Sequence, residues 1–317
     1  MNMKTNFFSS TDINQGSGLE KEKFVYISHE IKQNEAKYER NFWRSLKREL
    51  KNNFLAKLAL ITLAVFVLVS IFAFLSPYNP NALDLQNKLA YPSLEHPFGT
   101  DDMGRDYLTR AMYGGRVSLM VGLFSMCVSI TVGTVYGTIS GFIGGKTDVF
   151  MMRLLDILMS IPSFLLIVVI NTLFTPNIFT VILVIGMFNW MGVARIVRAQ
   201  TLSLRERDFV LAAQALGVSK ISIMIRHIVP NMANQIIVAA SISIASSILT
   251  ESSLSFLGYG VKVPMASWGS MLQRAQTFIL ERPLLAVYPG LFILLTVLSL
   301  NYLGDVLRKV LDPKFDQ

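Results

Sequence analysis

Six long apolar stretches dominate this chain, at residues 54–75, 117–139, 154–174, 178–196, 232–249 and 284–303. Each is long enough to cross roughly 30 Å of hydrocarbon as a helix, and a helix satisfies its own backbone where lipid offers no partner. That requirement excludes nearly every water-soluble fold and predicts an all-α membrane protein with six transmembrane helices. The composition agrees. Mean hydropathy is +0.47, and charged residues are 16 % of the chain, below the roughly 25 % of ordinary soluble domains. The single cysteine, Cys127, can form no intrachain disulfide, and His29, His96 and His227 are too scattered for metal-ligand spacing. Disulfide scaffolds and zinc sites are therefore excluded.

An even number of spans puts both termini on one side. If that side is the cytoplasm, 22 of the 29 Lys and Arg residues lie inside and 7 outside, which satisfies the positive-inside rule. Both termini are thus expected to be cytoplasmic, and the net charge of +8 reads as an orientation signal rather than a nucleic-acid signal. The expected plan opens with a cytoplasmic tail over 1–53. The tail ends in the basic amphipathic stretch YERNFWRSLKRELK, suited to the headgroup region. No apolar run follows an early basic cluster, so no cleaved signal is expected. A first span at 54–75, an extracytoplasmic loop at 76–116 and a five-helix core at 117–305 follow. That core contains a cytoplasmic loop at 195–231, and a short cytoplasmic tail covers 306–317.

Several motifs bear on chemistry. SGFIGGKT at 140–147 approaches a phosphate-binding loop, but Ser140 stands where the pattern needs glycine and the segment joins two spans. It is read as a turn, with no nucleotide bound by this chain. The loop RDFVLAAQALGVSKISIMIRHIVPN, 207–231, is more informative. Asp208 is expected to cap a short helix, Gly217 to end it in the left-handed region, and Ser219 to cap a second helix running toward Pro230. Ala212, Ala213 and Gly217 fall on one face, where small side chains let another surface approach. Gly122, Gly133, Gly137 and Gly141 predict close helix packing. Asp148, Arg153, Asp156, Asn171, Asn189, Asn301 and Asp305 sit near span ends, where capping and topology explain them, and Glu251 is a candidate outer-gate residue. Asp101, Asp102, Arg105 and Asp106 in FGTDDMGRD lack calcium-loop spacing, and a glycosidase pair finds no further support.

The run Leu211, Ala212, Ala213, then Gly217, then His227, Ile228, Val229, Pro230 resembles the EAA loop of bacterial ABC-importer permeases. FWRSLKRELKNN, FGTDDMGRDYLTRAMYGGRVSL, SFLGYGV, SWGSML and LGDVLRKVLDP resemble the C-type permease subunit of the oligopeptide and dipeptide (peptide/nickel) importers, so the likeness spans about 41–313. It implies a MetI-like ABC type I importer permease fold, multi-pass in the bacterial inner membrane. It also implies that Arg207, Asp208, Phe209, Leu211, Ala212, Ala213, Ala215, Leu216, Gly217, His227 and Pro230 couple to cytoplasmic ATPases. Leu211 replaces the family's usual glutamate, so docking is expected to rest on shape, with Arg205, Arg207 and Lys220 at the rim. The implied partners are a homologous B-type permease, two ATPases, an extracytoplasmic substrate-binding protein and a peptide substrate. Asp101, Asp102, Arg105, Asp106 and Trp268 are possible contacts for the binding protein. The chain is not expected to be an enzyme or to hold a cofactor or metal; ATP and Mg belong to the ATPases. Nickel or another small solute is the alternative cargo. A stand-alone secondary transporter is the alternative class, but it predicts intramembrane acid or histidine relays and no docking loop.

Overall fold

The computed structural model describes residues 42–173, 177–262 and 264–311. The tail before residue 42 and the last six residues lie outside the described residues. The chain divides into two units, Met1–Asn52 and Asn53–Gln317. In the first, residues 42–52 form helix α1, where the Phe42 and Trp43 rings meet edge to face at 5.4 Å.

The second unit is a helical bundle. α2 (Phe54–Ile71) starts at Asn53, whose side chain accepts from the Leu55 and Ala56 N–H groups at 3.1 and 3.3 Å. At its other end, Arg116 donates to the Ser70 and Ile71 carbonyls, both at 2.6 Å. A cation there satisfies orphan carbonyls and complements the helix dipole. A 3₁₀ turn, Phe72–Leu75, closes this span.

α3 (Tyr107–Ile143) begins ten residues before the predicted apolar run because Asp106 caps it, accepting from the Thr109 N–H at 2.7 Å and hydroxyl at 2.6 Å. Its 37 residues extend about 55 Å, well beyond a bilayer core. α4 (Gly145–Ser160) and α5 (Ser163–Leu173) replace the single helix expected over 154–174: they meet at an angle of 78°. Pro162 is the cause. It has no N–H to donate, and it holds Ile161 in the extended region at φ −93°, ψ 131°. α6 (Ile178–Arg205) follows, then α7 (Asp208–Ala215) and α8 (Lys220–Ile223), which continues through a π turn, Met224–Ile228, into α9 (Val229–Asn231). α10 (Ala233–Phe256), the short α11 (Trp268–Ala275) and α12 (Leu284–Leu311) complete the described bundle. Five of these helices are long and apolar enough to cross a membrane, and the bent α4–α5 pair makes a sixth if counted as one span.

The centre of the bundle is the α3–α6 contact, and glycine makes it close. A Cβ at Gly133 would stand 2.7 Å from Val193, one at Gly137 2.5 Å from the Ala194 carbonyl, and one at Gly141 2.8 Å from Thr201. α6 answers with Gly186, where a Cβ would lie 2.6 Å from Val128. At this separation Ser125 and Ser129 reach the Ile182 and Gly186 carbonyls at 3.0 and 3.1 Å. The periphery is the opposite: Leu55, Leu58, Ile61, Val65 and Leu68 of α2 stand exposed, as side chains facing lipid do.

Candidate functional site

The two ends of the bundle are built differently. One carries a cap made from residues 76–106 and the segment around α11. At this end Asp101, Arg105, Asp106 and Arg110 are buried, while Asp84, Lys88 and Glu95 are exposed. Asp101 accepts from the Met103 and Arg105 N–H groups at 2.9 and 3.0 Å and from the Arg105 Nε at 2.7 Å, while the Arg110 Nε lies 3.5 Å away. Arg110, 2 % exposed, also donates to the Pro80 carbonyl at 2.9 Å. Asp106 contacts the His96 Nδ1 at 2.9 Å. Trp268 donates through its indole to the Ala111 carbonyl at 2.9 Å. Nearby, the Asn87 amide donates to Asp84 at 2.8 Å and holds that exposed carboxyl below the usual carboxylate range.

Expected as contacts for a binding protein, Asp101, Arg105, Asp106 and Trp268 are buried: Asp101 and Arg105 face each other, while Asp106 bonds to His96 and Thr109 and Trp268 to the Ala111 carbonyl. The Asp102 side chain keeps 25 % exposure, near Arg274 at 3.8 Å. Glu251, expected at an outer gate, is enclosed instead. It accepts from Ser255 at 2.7 Å and Ser118 at 3.1 Å and is 0 % exposed. Ser118 in turn accepts from the Trp268 N–H at 3.2 Å, so this carboxylate ties α3, α10 and α11 together.

The opposite end carries the loop with the EAA spacing. Arg205, the last residue of α6, reaches the Gly141 and Phe142 carbonyls at the end of α3, both at 3.4 Å. Its guanidinium occupies the space where a Cβ on Gly144 would stand, and Gly144 has φ +68°. The SGFIGGKT segment is thus a helix-to-helix turn, as expected. α7 starts one residue earlier than predicted: Arg207 is its N-cap and Asp208 lies in the first turn, where its charge complements the dipole without capping. The helix closes with the Gly217 N–H donating to the Gln214 carbonyl at 3.0 Å and the Val218 N–H to the Ala213 carbonyl at 3.1 Å. That pair of bonds is a Schellman motif, and it requires the φ of +74° that Gly217 adopts. Ser219 then caps α8, accepting from the Ser222 N–H at 3.4 Å.

The two faces of this loop separate cleanly. Val210, Ala213, Ile223, Ile228 and Met232 are buried against Phe142, Val193 and Val197. Phe209, Leu211, Ala212, Ala215, Leu216 and Ile221 are exposed, Leu216 at 84 %. The expected small-residue face is corrected in one respect: Ala213 packs against the bundle, and the outward surface is a row of apolar side chains beside Ala212. Arg207 and Lys220 flank that row in solvent, His227 is half-buried, and Pro230 is exposed. Leu211, at the family's glutamate position, faces outward at 50 % exposure.

One constellation was not anticipated. Asp148 of α4 receives the Arg198 Nε and Nη2 at 2.5 and 2.6 Å and the Ser140 hydroxyl at 2.5 Å. Further along the same two helices, Arg195 meets Asp156 at 2.6 Å. The signal was legible in the spacing. Asp148 and Asp156 are eight residues apart and Arg195 and Arg198 three apart, so each pair shares one helical face.

A bundle of glycine-packed spans with a structured loop at one end suits a transport permease, and comparison with known proteins gives that class. Residues 133–317 match the family described as binding-protein-dependent transport system inner membrane component. Residues 41–95 match the N-terminal TM domain of oligopeptide transport permease C. The oligopeptide transport system permease protein OppC of Haemophilus influenzae is 43 % identical over 278 residues, 87 % of this chain and 89 % of that protein. The dipeptide transport system permease protein DppC of Alkalihalophilus pseudofirmus is 40 % identical over 273 residues, 86 % of this chain and 90 % of that one. Among solved structures, one of the MetNI methionine ABC transporter in inward facing conformations superposes with a TM-score of 0.51 at 15 % identity, over 62 % of this chain and 94 % of that chain. That likeness shows the fold. The chain belongs to the inner-membrane permease family of binding-protein-dependent transport systems.

Proposed function

We propose that this chain is the C-type permease subunit of an ATP-driven peptide importer. In this reading it pairs with a homologous B-type permease, receives substrate from an extracytoplasmic binding protein, and docks one of the complex's two cytoplasmic ATPases, which hold the ATP and Mg. It contributes the translocation path and no catalytic residue. Both termini and the 195–231 loop face the cytoplasm. The single observation that carries the reading is the α7–Gly217–α8 unit. Its inner face is anchored to the spans while its outer face leaves Phe209, Leu211 and Leu216 exposed among the described residues. An exposed apolar row on a rigid base is a docking surface. The relatives named for oligopeptide and dipeptide transport support peptide as the cargo. A cavity of about 400 Å³ between α6, α10 and α12, lined by Gln200, Asn234, Gln235, Val238, Ile242 and Arg308, offers amphipathic walls suited to a passing peptide backbone.

The test is ATP-dependent uptake by the complete complex in proteoliposomes, with labelled peptides and nickel compared side by side. Peptide uptake that needs both ATP and the binding protein is expected. Nickel uptake without peptide uptake would overturn the cargo. Purification of this chain without any ATPase, active on its own, would overturn the class.

A further inference from the structure

The Asp148 cluster joins three helices, α3, α4 and α6, at the loop end of the bundle. Asp148 is 8 % exposed and Ser140 is fully buried. The carboxylate accepts both arms of the Arg198 fork, and the fork geometry fixes the angle between donor and acceptor as well as their distance. The Tyr136 hydroxyl donates to the Met151 carbonyl at 2.7 Å, and Leu155 packs on Trp190, Met191 and Ala194, so this half of α4 is fastened along its length to α3 and α6. α6 itself is an unbroken helix of 28 residues. Arg198 lies about two turns before its end, and α7 starts directly beyond. Past the break at Pro162 the attachments change. α5 meets the first turns of α6 through apolar side chains that can slide, with Ile167 in one cluster with Val181, Ile182 and Ile185, and its Asn171 amide donates at 2.8 Å to the Tyr259 carbonyl in the segment between α10 and α11.

We propose that Asp148 is a positioning residue of coupling. Its bidentate pair with Arg198 locks α4 to α6, so that displacement of the α7 loop carries both helices as one body and the bend between α4 and α5 absorbs the movement. This rests on the importer reading given above. The chemistry suits the task. The Arg198 and Asp148 side chains are 31 and 12 % exposed, so the pair is part-buried, and separating the helices breaks two charge-assisted hydrogen bonds at once. The proline-forced break at Pro162 lies just outside the locked region, where a hinge needs a few residues of altered backbone. The Arg195–Asp156 pair is half exposed, with side chains at 50 and 51 %, and acts as a weaker second tie.

The test uses the complete complex in nanodiscs with its ATPases and binding protein, in a Cys127→Ser background. Spin labels on Phe150→Cys and Ser203→Cys report the α4–α6 distance, and labels on Phe150→Cys and Val169→Cys report the bend. Between nucleotide-free and ATP-trapped states the first distance is expected to hold and the second to change. A first distance that shifts by several ångströms, or a bend that does not change, overturns the proposal. Asp148→Asn is expected to free the first distance and to lower peptide transported per ATP hydrolysed by about tenfold, within the usual span of coupling energies. Basal hydrolysis and ATPase co-purification should stay unchanged. Arg198→Lys, which keeps the charge and loses the fork, should fall between. Transport and hydrolysis that fall in proportion would mean that the cluster only holds the fold. Absence of ATPase from the unmutated complex would defeat the importer reading itself.

Discussion

The two ends of this bundle use charge in opposite ways. In the cap, Asp101, Arg105 and Arg110 are 4, 5 and 2 % exposed and satisfy one another. In the α7 loop, Arg207 and Lys220 stand in water and the apolar side chains are uncovered. Burying an ion costs several kcal/mol unless it is paired and hydrogen-bonded, so a network such as the cap's is stable in one arrangement and poor in any other. Its central pairs, Asp101 with Arg105 and Arg110, form within this chain. The Schellman bonds and the inner row of Val210, Ala213 and Ile223 fix the loop's shape, while its outer surface is exposed among the described residues. The contrast separates charges that specify a fold from surfaces that await a second chain, and burial tells them apart where residue type does not.

The largest effect should come from Asp101→Ala. It removes the acceptor of two backbone N–H groups and leaves two buried guanidiniums unbalanced, a change of about 3–5 kcal/mol in stability. Thermal unfolding of the purified complex should show a marked drop, and Asp101→Asn should recover part of it by keeping the hydrogen-bond acceptor. Normal stability combined with lost affinity for the binding protein would reverse the account of the cap and make it a contact surface after all. Leu216→Asp should do the opposite. Placed on an 84 % exposed side chain, the aspartate should leave unfolding within about 0.5 kcal/mol of the parent. It should weaken ATPase docking by about 2–4 kcal/mol if Leu216 is an interface anchor. ATPase retained on the detergent-solubilised complex measures this, and undiminished retention would exclude the outer row as the docking face.

Much of this was readable before any coordinates. Apolar run length located five helices long enough to span, because a bilayer leaves the backbone few choices. The glycine ladder on α3 announced close packing, and it meets Val193, Ala194 and Thr201 as such a ladder should. Gly217 and Ser219 fell where their local chemistry puts them. What escaped was set by distant contacts. The start of α3 at Tyr107 depends on Asp106, a polar residue inside what looked like a loop. The break at Pro162 was masked by the apolar sequence on both sides, although the proline itself marked it. The inward turn of Ala213 follows from the angle at which α7 lies on the bundle, and periodicity fixes which residues share a face but not which face is covered. The burial of Asp101 and Arg105 was missed for a related reason: a cluster of charges looks alike in sequence whether it meets water or itself.

The finest comparison of the two ends uses one substitution at two glycines with the same backbone angle. Gly104 in the cap and Gly217 in the loop both have φ +74°. An alanine at either position takes on the strain of an L residue in the left-handed region, about 1 kcal/mol. The surroundings then decide the rest. A Cβ at Gly104 would collide with the Asp84 backbone carbonyl, which cannot move without dragging the cap, whereas one at Gly217 meets nothing within 4 Å. Gly104→Ala should therefore cost about 2–4 kcal/mol, strain and overpacking together, and Gly217→Ala only about 1 kcal/mol, the strain alone. Gly217→Asn should cost less still, because asparagine tolerates this region. Unfolding midpoints of the three variants in one detergent check the order. Equal losses at Gly104 and Gly217 would mean that the loop is as tightly enclosed as the cap, and the distinction between a self-completed end and a partner-completed end would fall.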